Sequence, residues 1–339
     1  MEHTPKVSVI MSVYKEKIEW LQEAIESILN QTFRHFEFII ICDNPEYKEG
    51  LECIENYQKA DNRIKIIKNE LNIGLTKSLN KGIDLAIGKY IARMDADDFS
   101  YPRRFEKQVE FMEKHPYIVA SGTGAYWWRE GTRLIRAHRE SNSTVLRSLS
   151  VFESPIYHPS AIFKREIDGE LVKYNESFKY SQDYALWISL MNNYSLSNID
   201  EPLIRYRISN QQISSSHHIE QRQCALRNQD SAFLLIGVSL SQEDNRFFKD
   251  LTRGTGIIFS KKEMEIFINH FMMIIKEKKD LDYSSIARYF LVIFANNIYK
   301  NNSFVVSLIS LARLCFNIRC FSLYSVLALV SKYLRRSVN

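Results

Sequence analysis

Three carboxylates lie within four consecutive residues of the segment YIARMDADDF, residues 90–99. They belong to Asp95, Asp97 and Asp98. Like charges at this spacing repel one another, so a counter-charge must offset them. Carboxylates separated by one residue can share a divalent cation, and their hard oxygen atoms suit Mn²⁺ or Mg²⁺, which completes its shell with substrate phosphates. The alternative is a solvated acidic turn that caps the following helix.

The segments around this cluster alternate between strand-like and helix-like patterns. Apolar runs rich in β-branched residues predict buried strands at residues 7–14, 36–42, 64–68, 90–94 and 118–124. Helical spacing of apolar residues predicts helices at residues 18–30, 51–58, 76–86 and 102–114. Pro102 suits the first turn of the last of these helices. The alternation indicates parallel βαβ units and an α/β fold with helices on both faces of the sheet.

Polar residues follow several of these predicted strands directly. Tyr14 ends the first strand, Asp43 follows the second, and the acidic cluster follows the fourth. In open α/β sheets, ligands bind beyond the carboxyl ends of the strands. We therefore expect these residues to converge on one crevice, and this position favours a metal site over an acidic turn.

The composition is that of a globular protein with a mild basic excess. The 339 residues, 45% hydrophobic and 25% charged, predict one large domain with an appendage, or two domains. A net charge of +5 does not indicate a nucleic-acid partner, and we expect none. The charge suits an enzyme that handles anionic phosphates or rests on an anionic membrane.

The cysteine pattern and the N-terminal segment indicate where the protein works. Five scattered cysteines with no CxxC spacing predict neither a disulfide framework nor a zinc site. The N-terminus lacks a basic segment followed by an apolar one, and no run of about 18 apolar residues occurs. We expect a cytoplasmic protein, with peripheral contact at the inner face of the cytoplasmic membrane.

The polar stretch SNQQISSSHHIEQRQ, residues 209–223, marks a predicted change of domain. We place a catalytic domain at residues 1–215 and a helical C-terminal region at residues 216–339. Residues 283–339 contain seven Lys or Arg and no Asp or Glu. This tail predicts either a helical bundle packed on the catalytic domain or amphipathic helices that contact an anionic membrane.

An ordered series of motifs resembles the family 2 glycosyltransferases of bacterial surface-polysaccharide synthesis. The motifs are VSVIMSVY, AIESILNQTFRHFEFIIICD, NIGLTKSLNKGIDLAIGKYIARMDADD, HPSAIFKRE, QDYALW and EPLIRYRISNQQIS. Together they span about residues 5–215. The resemblance implies the GT-A fold, Rossmann-like, with a mostly parallel sheet flanked by helices. It also implies inverting, metal-dependent transfer from a nucleoside-diphosphate sugar, with a UDP-sugar expected, to a hydroxyl of a glycan or lipid-linked glycan.

The resemblance assigns a role to each member of the acidic cluster. It makes Asp97 the main metal ligand, and it places Asp95 near the ribose and the metal. Asp98 is expected to support the loop or cap the next helix. Asp43 matches the acid that receives the nucleotide base, because an acceptor-only carboxylate can take the imide N–H of uracil. Two further residues are expected to border the same pocket, Ser12 and Tyr14.

The motif NIGLTKSLNKG, which begins at Asn72, resembles the loop and helix that frame the nucleotide. Asn72 is therefore a candidate nucleotide-binding residue. The family commonly has Arg at the position of Leu79. The basic partner is then expected at Lys77, Lys81 or Arg93, and we favour Arg93, because it lies on the strand that delivers the acidic cluster. For the two lysines the alternative is a solvated helix face.

The motif QDYALW matches the segment that carries the catalytic acid of the family. Asp183 is therefore the candidate general base that takes the proton of the acceptor hydroxyl. On its own, Asp at a helix start favours capping. On the acceptor and diphosphate side the resemblance offers His158, Trp187 and Arg207. Their alternatives are a structural histidine, a core aromatic and an exposed strand face.

Two rival functions use the same elements. A nucleotidyltransferase acting on sugar phosphates needs a glycine-rich phosphate loop after the first strand, and the segment MSVYKEK contains no glycine. A non-catalytic binding protein with the same fold is favoured where the metal ligands or the base are lost. The sequence retains Asp95, Asp97 and Asp183.

Overall fold

The computed structural model describes residues 4–209, 218–253, 261–278, 280–287 and 289–290. This part of the chain divides into two compact units, which lie within Met1–Leu146 with Glu153–Asn228 and within Arg147–Phe152 with Gln229–Asn339. The predicted domain boundary after residue 215 falls outside the described residues, as does almost all of the basic tail at 283–339. Both remain predictions.

Eleven strands occur in the described residues: β1 (Val7–Val13), β2 (Phe36–Cys42), β3 (Ile64–Lys68), β4 (Tyr90–Arg93), β5 (Phe99–Ser100), β6 (Ile118–Trp128), β7 (Ile135–Ala137), β8 (Ile162–Lys164), β9 (Glu166–Ile167), β10 (Glu170–Leu171) and β11 (Ser195–Arg207). Nine of them form one sheet in the order β3-β2-β1-β4-β8-β6-β11-β5, with β7 paired to β6. β9 and β10 form a separate hairpin.

Nine α-helices occur in the described residues: α1 (Ile18–Leu29), α2 (Lys48–Ala60), α3 (Leu75–Leu85), α4 (Arg104–Lys114), α5 (Ser143–Leu149), α6 (Gln182–Met191), α7 (His218–Leu235), α8 (Gln242–Arg253) and α9 (Lys261–Lys276). α4 begins two residues after Pro102, so Pro102 precedes the helix instead of occupying its first turn. In the described part of the chain no helix combines the length and apolarity needed to cross a membrane.

The first four strands confirm the α/β prediction. β1 pairs in parallel with β2 and with β4, and β2 pairs in parallel with β3. Every residue of β2 and of β4 is buried. Continuous apolar strands of this kind are typical of parallel sheets covered on both faces. On one face, the rings of Phe36 and Phe105 pack edge to face at 5.8 Å and join β2 to α4.

Beyond β4 the sheet is mixed. The short strand β8 runs antiparallel to both β4 and β6, and β6 runs parallel to β11. The sequence did not predict β8, since three residues are too few for a periodic pattern. Two successive reversals give β6 and β11 the same direction as β4. The carboxyl ends of β1, β2, β4, β6 and β11 therefore lie at one edge of the sheet.

Candidate active site

A cleft of about 480 Å³ lies at this edge of the sheet. Its lining includes residues that are more than 170 positions apart in the sequence; of the residues expected to converge there, Tyr14, Asp95 and Asp97 line it and Asp43 does not. The predicted site residues that line it are Ser12, Tyr14, Arg93, Asp95, Asp97, His158 and Asp183. The remaining five lie outside its lining, namely Asn72, Lys81, Asp43, Trp187 and Arg207.

The acidic cluster occupies the turn between β4 and β5. One carboxylate oxygen from each of Asp95, Asp97 and Asp98 lies within 4.8 Å of the other two. Asp98 is 1% exposed, whereas the other two are half-buried and line the cleft. Asp95 and Asp97 can therefore reach a ligand, whereas Asp98 is buried within the turn.

The electrostatics of this cluster fit a bound cation. Burial, followed by the charges of Asp95 and Glu16, raises the pKa of Asp97 to about 7. Burial and its two acidic neighbours also raise the pKa of Asp98 well above the ordinary range. Oδ2 of Asp98 is buried and has no hydrogen-bond partner in the described part of the chain. These oxygens are hard ligands held together against their mutual repulsion, which a divalent cation would relieve.

Two buried arginines lie behind the cluster. Arg93 donates to the carbonyl oxygen of Ile10 at 3.2 Å, and its other terminal nitrogen is paired with Oδ1 of Asp95. Arg104 is fully buried and donates to the carbonyl oxygen of Arg93 at 2.8 Å. Burial lowers the pKa of Arg104 to about 9. Arg93 was predicted to face the nucleotide; it lines the cleft, but its guanidinium stabilises Asp95 and β1.

Arg207, at the end of β11, positions the acidic turn. Its backbone N–H donates to Oδ1 of Asp98 at 2.8 Å, and its Nε donates to the carbonyl oxygen of Asp97 at 2.7 Å. Its Nη2 pairs with Oε2 of Glu23 at 2.5 Å, and the guanidinium lies against the rings of Trp20 and Trp128. Arg207 is 5% exposed and its guanidinium is paired with Glu23, so it supports the acidic turn here, and its approach to the phosphates remains a prediction.

Asp43 anchors the loop that precedes α3. Its Oδ1 accepts hydrogen bonds from Nδ2 of Asn69 at 2.8 Å and from the N–H of Ile73 at 2.9 Å. Its Oδ2 accepts from the N–H of Gly74 at 2.9 Å. Gly74 has φ +87°, a conformation that favours glycine. Asp43 is 3% exposed and both of its carboxylate oxygens accept hydrogen bonds from this loop, and its contact with the nucleotide base remains a prediction.

Asn72 and Lys81 support the same loop. Oδ1 of Asn72 accepts from the N–H of Gly74 at 3.0 Å, and Nζ of Lys81 donates to Oδ1 of Asn69 at 2.9 Å. Neither side chain lines the cleft. Both side chains hold the loop that Asp43 anchors, and their contact with the nucleotide remains a prediction.

Asp183 lies in the first turn of α6 and lines the cleft. Ser181 occupies the N-cap position, adopts φ +53° and makes no side-chain capping hydrogen bond. The carboxylate of Asp183 accepts hydrogen bonds from the backbone of Asp183 and Tyr184, which act to lower its pKa. Oγ of Ser154 lies 3.4 Å from Oδ2 of Asp183. Burial raises the pKa of Asp183 to about 6. At neutral pH this carboxylate is ionised and close to the range in which it can take a proton efficiently.

His158 lies in the 3-10 turn His158–Ser160 that leads into β8. Its Nε2 shares a hydrogen bond of 2.8 Å with the hydroxyl of Tyr174. Burial, with the charge of Arg93 as a second cause, lowers the pKa of His158 well below its ordinary value. His158 is therefore a neutral ring in the wall of the cleft.

Trp187 belongs to the core. It is fully buried and packs edge-on against Phe163 at 6.0 Å. It does not line the cleft. No face of the ring is exposed, which favours the alternative of a core aromatic, and a role of Trp187 on the acceptor side remains a prediction.

Comparison with known proteins identifies the family. Residues 8–172 match the family model described as Glycosyl transferase family 2. The chain is 41% identical over 209 residues to an uncharacterized glycosyltransferase of Methanocaldococcus jannaschii, an alignment that covers 61% of this chain and 72% of the relative. The chain belongs to glycosyl transferase family 2.

Other members of the family and a solved structure agree with this result. The O-antigen biosynthesis glycosyltransferase WbnJ of Escherichia coli is 33% identical over 213 residues, which is 62% of this chain and 82% of WbnJ. The crystal structure of S. aureus TarS 1–349 in complex with UDP-GlcNAc superposes with a TM-score of 0.57 at 15% identity, covering 85% of this chain and 86% of that one. The protein is a glycosyltransferase with the GT-A fold and has relatives in polysaccharide biosynthesis.

The cleft of this family 2 enzyme also contains residues that sequence reasoning missed. Glu16 follows β1 by three residues, lines the cleft, and accepts a hydrogen bond from the N–H of Tyr14 at 2.9 Å. Its position just after a predicted strand is a signal from which the sequence could have identified it as a cleft residue. Arg139 lies 3.4 Å from the ring centre of Tyr157, and both line the cleft. No periodic pattern marks these two residues, because they lie in irregular segments.

Proposed function

We propose that this chain transfers a sugar from a UDP-sugar to a hydroxyl of a glycan or lipid-linked glycan acceptor in cell-surface polysaccharide synthesis. One observation carries the proposal: the carboxylates of Asp95 and Asp97 line the same cleft as Asp183, which has a raised pKa. Asp95 and Asp97 would bind the diphosphate of the donor through a cation. Asp183 would take the proton of the acceptor hydroxyl.

Asp97 and Asp95 are the proposed ligands of Mn²⁺ or Mg²⁺. Their spacing, their hard oxygen atoms and the raised pKa of Asp97 support this assignment. When bound, the cation supplies Lewis-acid stabilisation of the departing diphosphate. Arg207 and Asp98 act on the ligands indirectly by fixing the turn that carries them.

The proposed reaction is a single displacement. The bond between the anomeric carbon and the diphosphate oxygen breaks, and its electron pair goes to the diphosphate. The acceptor oxygen bonds to the anomeric carbon from the opposite side, and its proton goes to the carboxylate of Asp183. This sequence inverts the anomeric centre and leaves no sugar attached to the enzyme.

Two comparisons support the donor and the pathway. TarS was crystallised with UDP-GlcNAc, and its likeness to this chain supports a nucleotide-sugar site on the same fold. WbnJ acts in O-antigen biosynthesis, which supports a glycan acceptor at the cell surface. The sugar and the linkage are specified by the loops that line the acceptor side of the cleft.

A donor panel tests the proposal. The full-length protein is incubated with Mn²⁺, acceptor glycans and each of a set of nucleotide sugars, and nucleotide release is measured. One UDP-sugar is expected to be consumed, and Asp97→Ala is expected to abolish consumption. Asp84→Ala is the matched control, because Asp84 forms an exposed pair with Lys173 away from the cleft. If no donor is consumed and no nucleoside diphosphate binds with metal, the proposal is wrong.

A further inference from the structure

A departing diphosphate requires positive charge beside it, and the structure shows which cations of the cleft are already paired. The cationic side chains that line it are Lys15, Arg93, Arg139 and Lys179. Arg93 is paired with Asp95. Arg139 is paired with Glu153 at 2.9 Å. In the described part of the chain neither lysine has a carboxylate partner, so the two lysines are the cations available to a ligand.

The two lysines lie on different walls. Lys15 follows β1, and its ammonium lies 5.5 Å from the ring centre of Tyr14. The carbonyl oxygen of Tyr14 accepts from Nδ2 of Asn44, so Lys15 belongs to the β1–β2 side of the cleft. Lys179 begins an unbroken run of lining residues that ends at Asp183. Lys179 therefore lies on the wall that also carries the proposed base.

The backbone that carries Lys179 is held at both ends. Oγ1 of Thr76 donates to the carbonyl oxygen of Phe178 at 2.9 Å, just before Lys179. Nδ2 of Asn228 donates to the carbonyl oxygen of Ser181 at 2.9 Å, just after it. Ser181 adopts φ +53°, a strained conformation for a residue other than glycine. The backbone is fixed, whereas the side chain of Lys179 is exposed, with its ammonium 5.5 Å from the ring centre of Tyr180.

We propose that Lys179 binds the diphosphate of the donor and stabilises it as it leaves; this inference rests on the proposed function. When the bond to the anomeric carbon breaks, the electron pair goes to the diphosphate oxygen. The ammonium of Lys179 keeps its proton and offsets the added charge, while Asp183 receives the proton of the acceptor. The segment from Lys179 to Asp183 thus supplies a cation for the diphosphate on one side of the transferred sugar and a base for the acceptor hydroxyl on the other.

The charge-removing variant Lys179→Met tests this role. With Mn²⁺ present, calorimetry measures the affinity of the full-length protein for UDP and for uridine, which lacks phosphates. We expect UDP binding to weaken about tenfold and uridine binding to stay unchanged. With the donor found in the panel, kcat is expected to fall about tenfold to a hundredfold. Lys179→Arg is expected to restore most of both losses.

Lys114→Met is the control, because it removes the same charge from an exposed pair with Glu110 that does not line the cleft. Its kcat is expected to stay within about threefold of wild type. Wild-type UDP affinity in Lys179→Met would overturn the inference and leave the proposed function intact. Equal weakening of UDP and uridine, or equal losses of kcat in the two variants, would also overturn it. Wild-type protein that binds no nucleoside diphosphate overturns the proposed function itself.

Discussion

The backbone N–H of Arg207 donates a hydrogen bond of 2.8 Å to Oδ1 of Asp98, across 109 positions of sequence. The guanidinium of Arg207 also holds the carbonyl oxygen of Asp97. Glu23 in turn pairs with this guanidinium. The end of β11 and helix α1 therefore determine where the proposed metal ligands lie, although neither contributes a ligand. Groups that orient metal ligands in this way commonly affect metal affinity by about tenfold to a hundredfold.

Arg207→Met is expected to weaken Mn²⁺ binding by about tenfold to a hundredfold. The substitution removes the bond to the Asp97 carbonyl and the pair with Glu23, while the backbone bond to Asp98 remains. Calorimetric titration with Mn²⁺ in the presence of UDP measures the effect. Arg205→Met is the control, since Arg205 also pairs with Glu23 but has no bond to the acidic turn. Equal losses in both variants would contradict the positioning role.

Without metal, Asp97 is expected to make the stability of the protein depend on pH. Its pKa of about 7 lies above the ordinary value of 3.8, so the folded state holds the proton more tightly than the unfolded state. The resulting stability is present below about pH 4 and is lost as the pH rises through about 7.

Thermal unfolding at pH 5 and pH 8 measures this dependence. The decrease in Tm between these values is expected to be a few degrees larger for the wild type than for Asp97→Asn, which cannot ionise. Saturating Mn²⁺ is expected to remove most of the difference at pH 8, because the cation stabilises the ionised form. Identical pH dependence of Tm in the two proteins would count against the raised pKa.

Asp183 is expected to control the acid limb of the pH–rate profile. As a general base it must be ionised, and its pKa of about 6 means that kcat rises up to about pH 6 and then levels. Asp183→Asn is expected to lower kcat by about a hundredfold or more and to leave the affinity for UDP within about threefold of wild type. Asp84→Asn serves as the surface control. Full activity of Asp183→Asn excludes the proposed base.

The elements that deliver the site were predictable because their signals are local. Continuous apolar runs marked β1, β2 and β4, and the polar residues after them marked the ligand edge. Sequence position therefore located Asp95 and Asp97 in the cleft. Asp183 required the family resemblance, since a helix start alone favours a cap.

The individual roles of several residues were not predictable because their partners are distant in sequence. Arg207 is paired with Glu23, 184 positions away. The carboxylate of Asp43 accepts a hydrogen bond from the N–H of Ile73, 30 positions away. Alternation along a strand predicts which face a side chain occupies, but it does not predict which carboxylate it meets. For both residues the fold therefore supplies partners that the sequence alone does not show.

Trp187→Phe is expected to lower the free energy of unfolding by about 1–3 kcal/mol and to leave the KM for the acceptor unchanged. Trp187 is fully buried, so the smaller ring leaves a cavity beside Phe163. Urea unfolding measures the first quantity, and initial-rate kinetics measure the second. A rise in acceptor KM without loss of stability would return Trp187 to the acceptor site.

Asp43→Ala is expected to release the loop before α3. The change leaves the N–H of Ile73 without its acceptor, whereas Nδ2 of Asn69 keeps Ser78 and the N–H of Gly74 keeps Asn72. It is expected to cost about 1–3 kcal/mol of unfolding free energy. UDP affinity is expected to fall as well, because the loop continues into α3, whose first residue, Leu75, lines the cleft. Urea unfolding and calorimetry measure the two effects.

Asp84→Ala, which breaks an exposed pair, is expected to cost less than about 1 kcal/mol. Equal stability of the two variants would show that the loop does not depend on its carboxylate anchor.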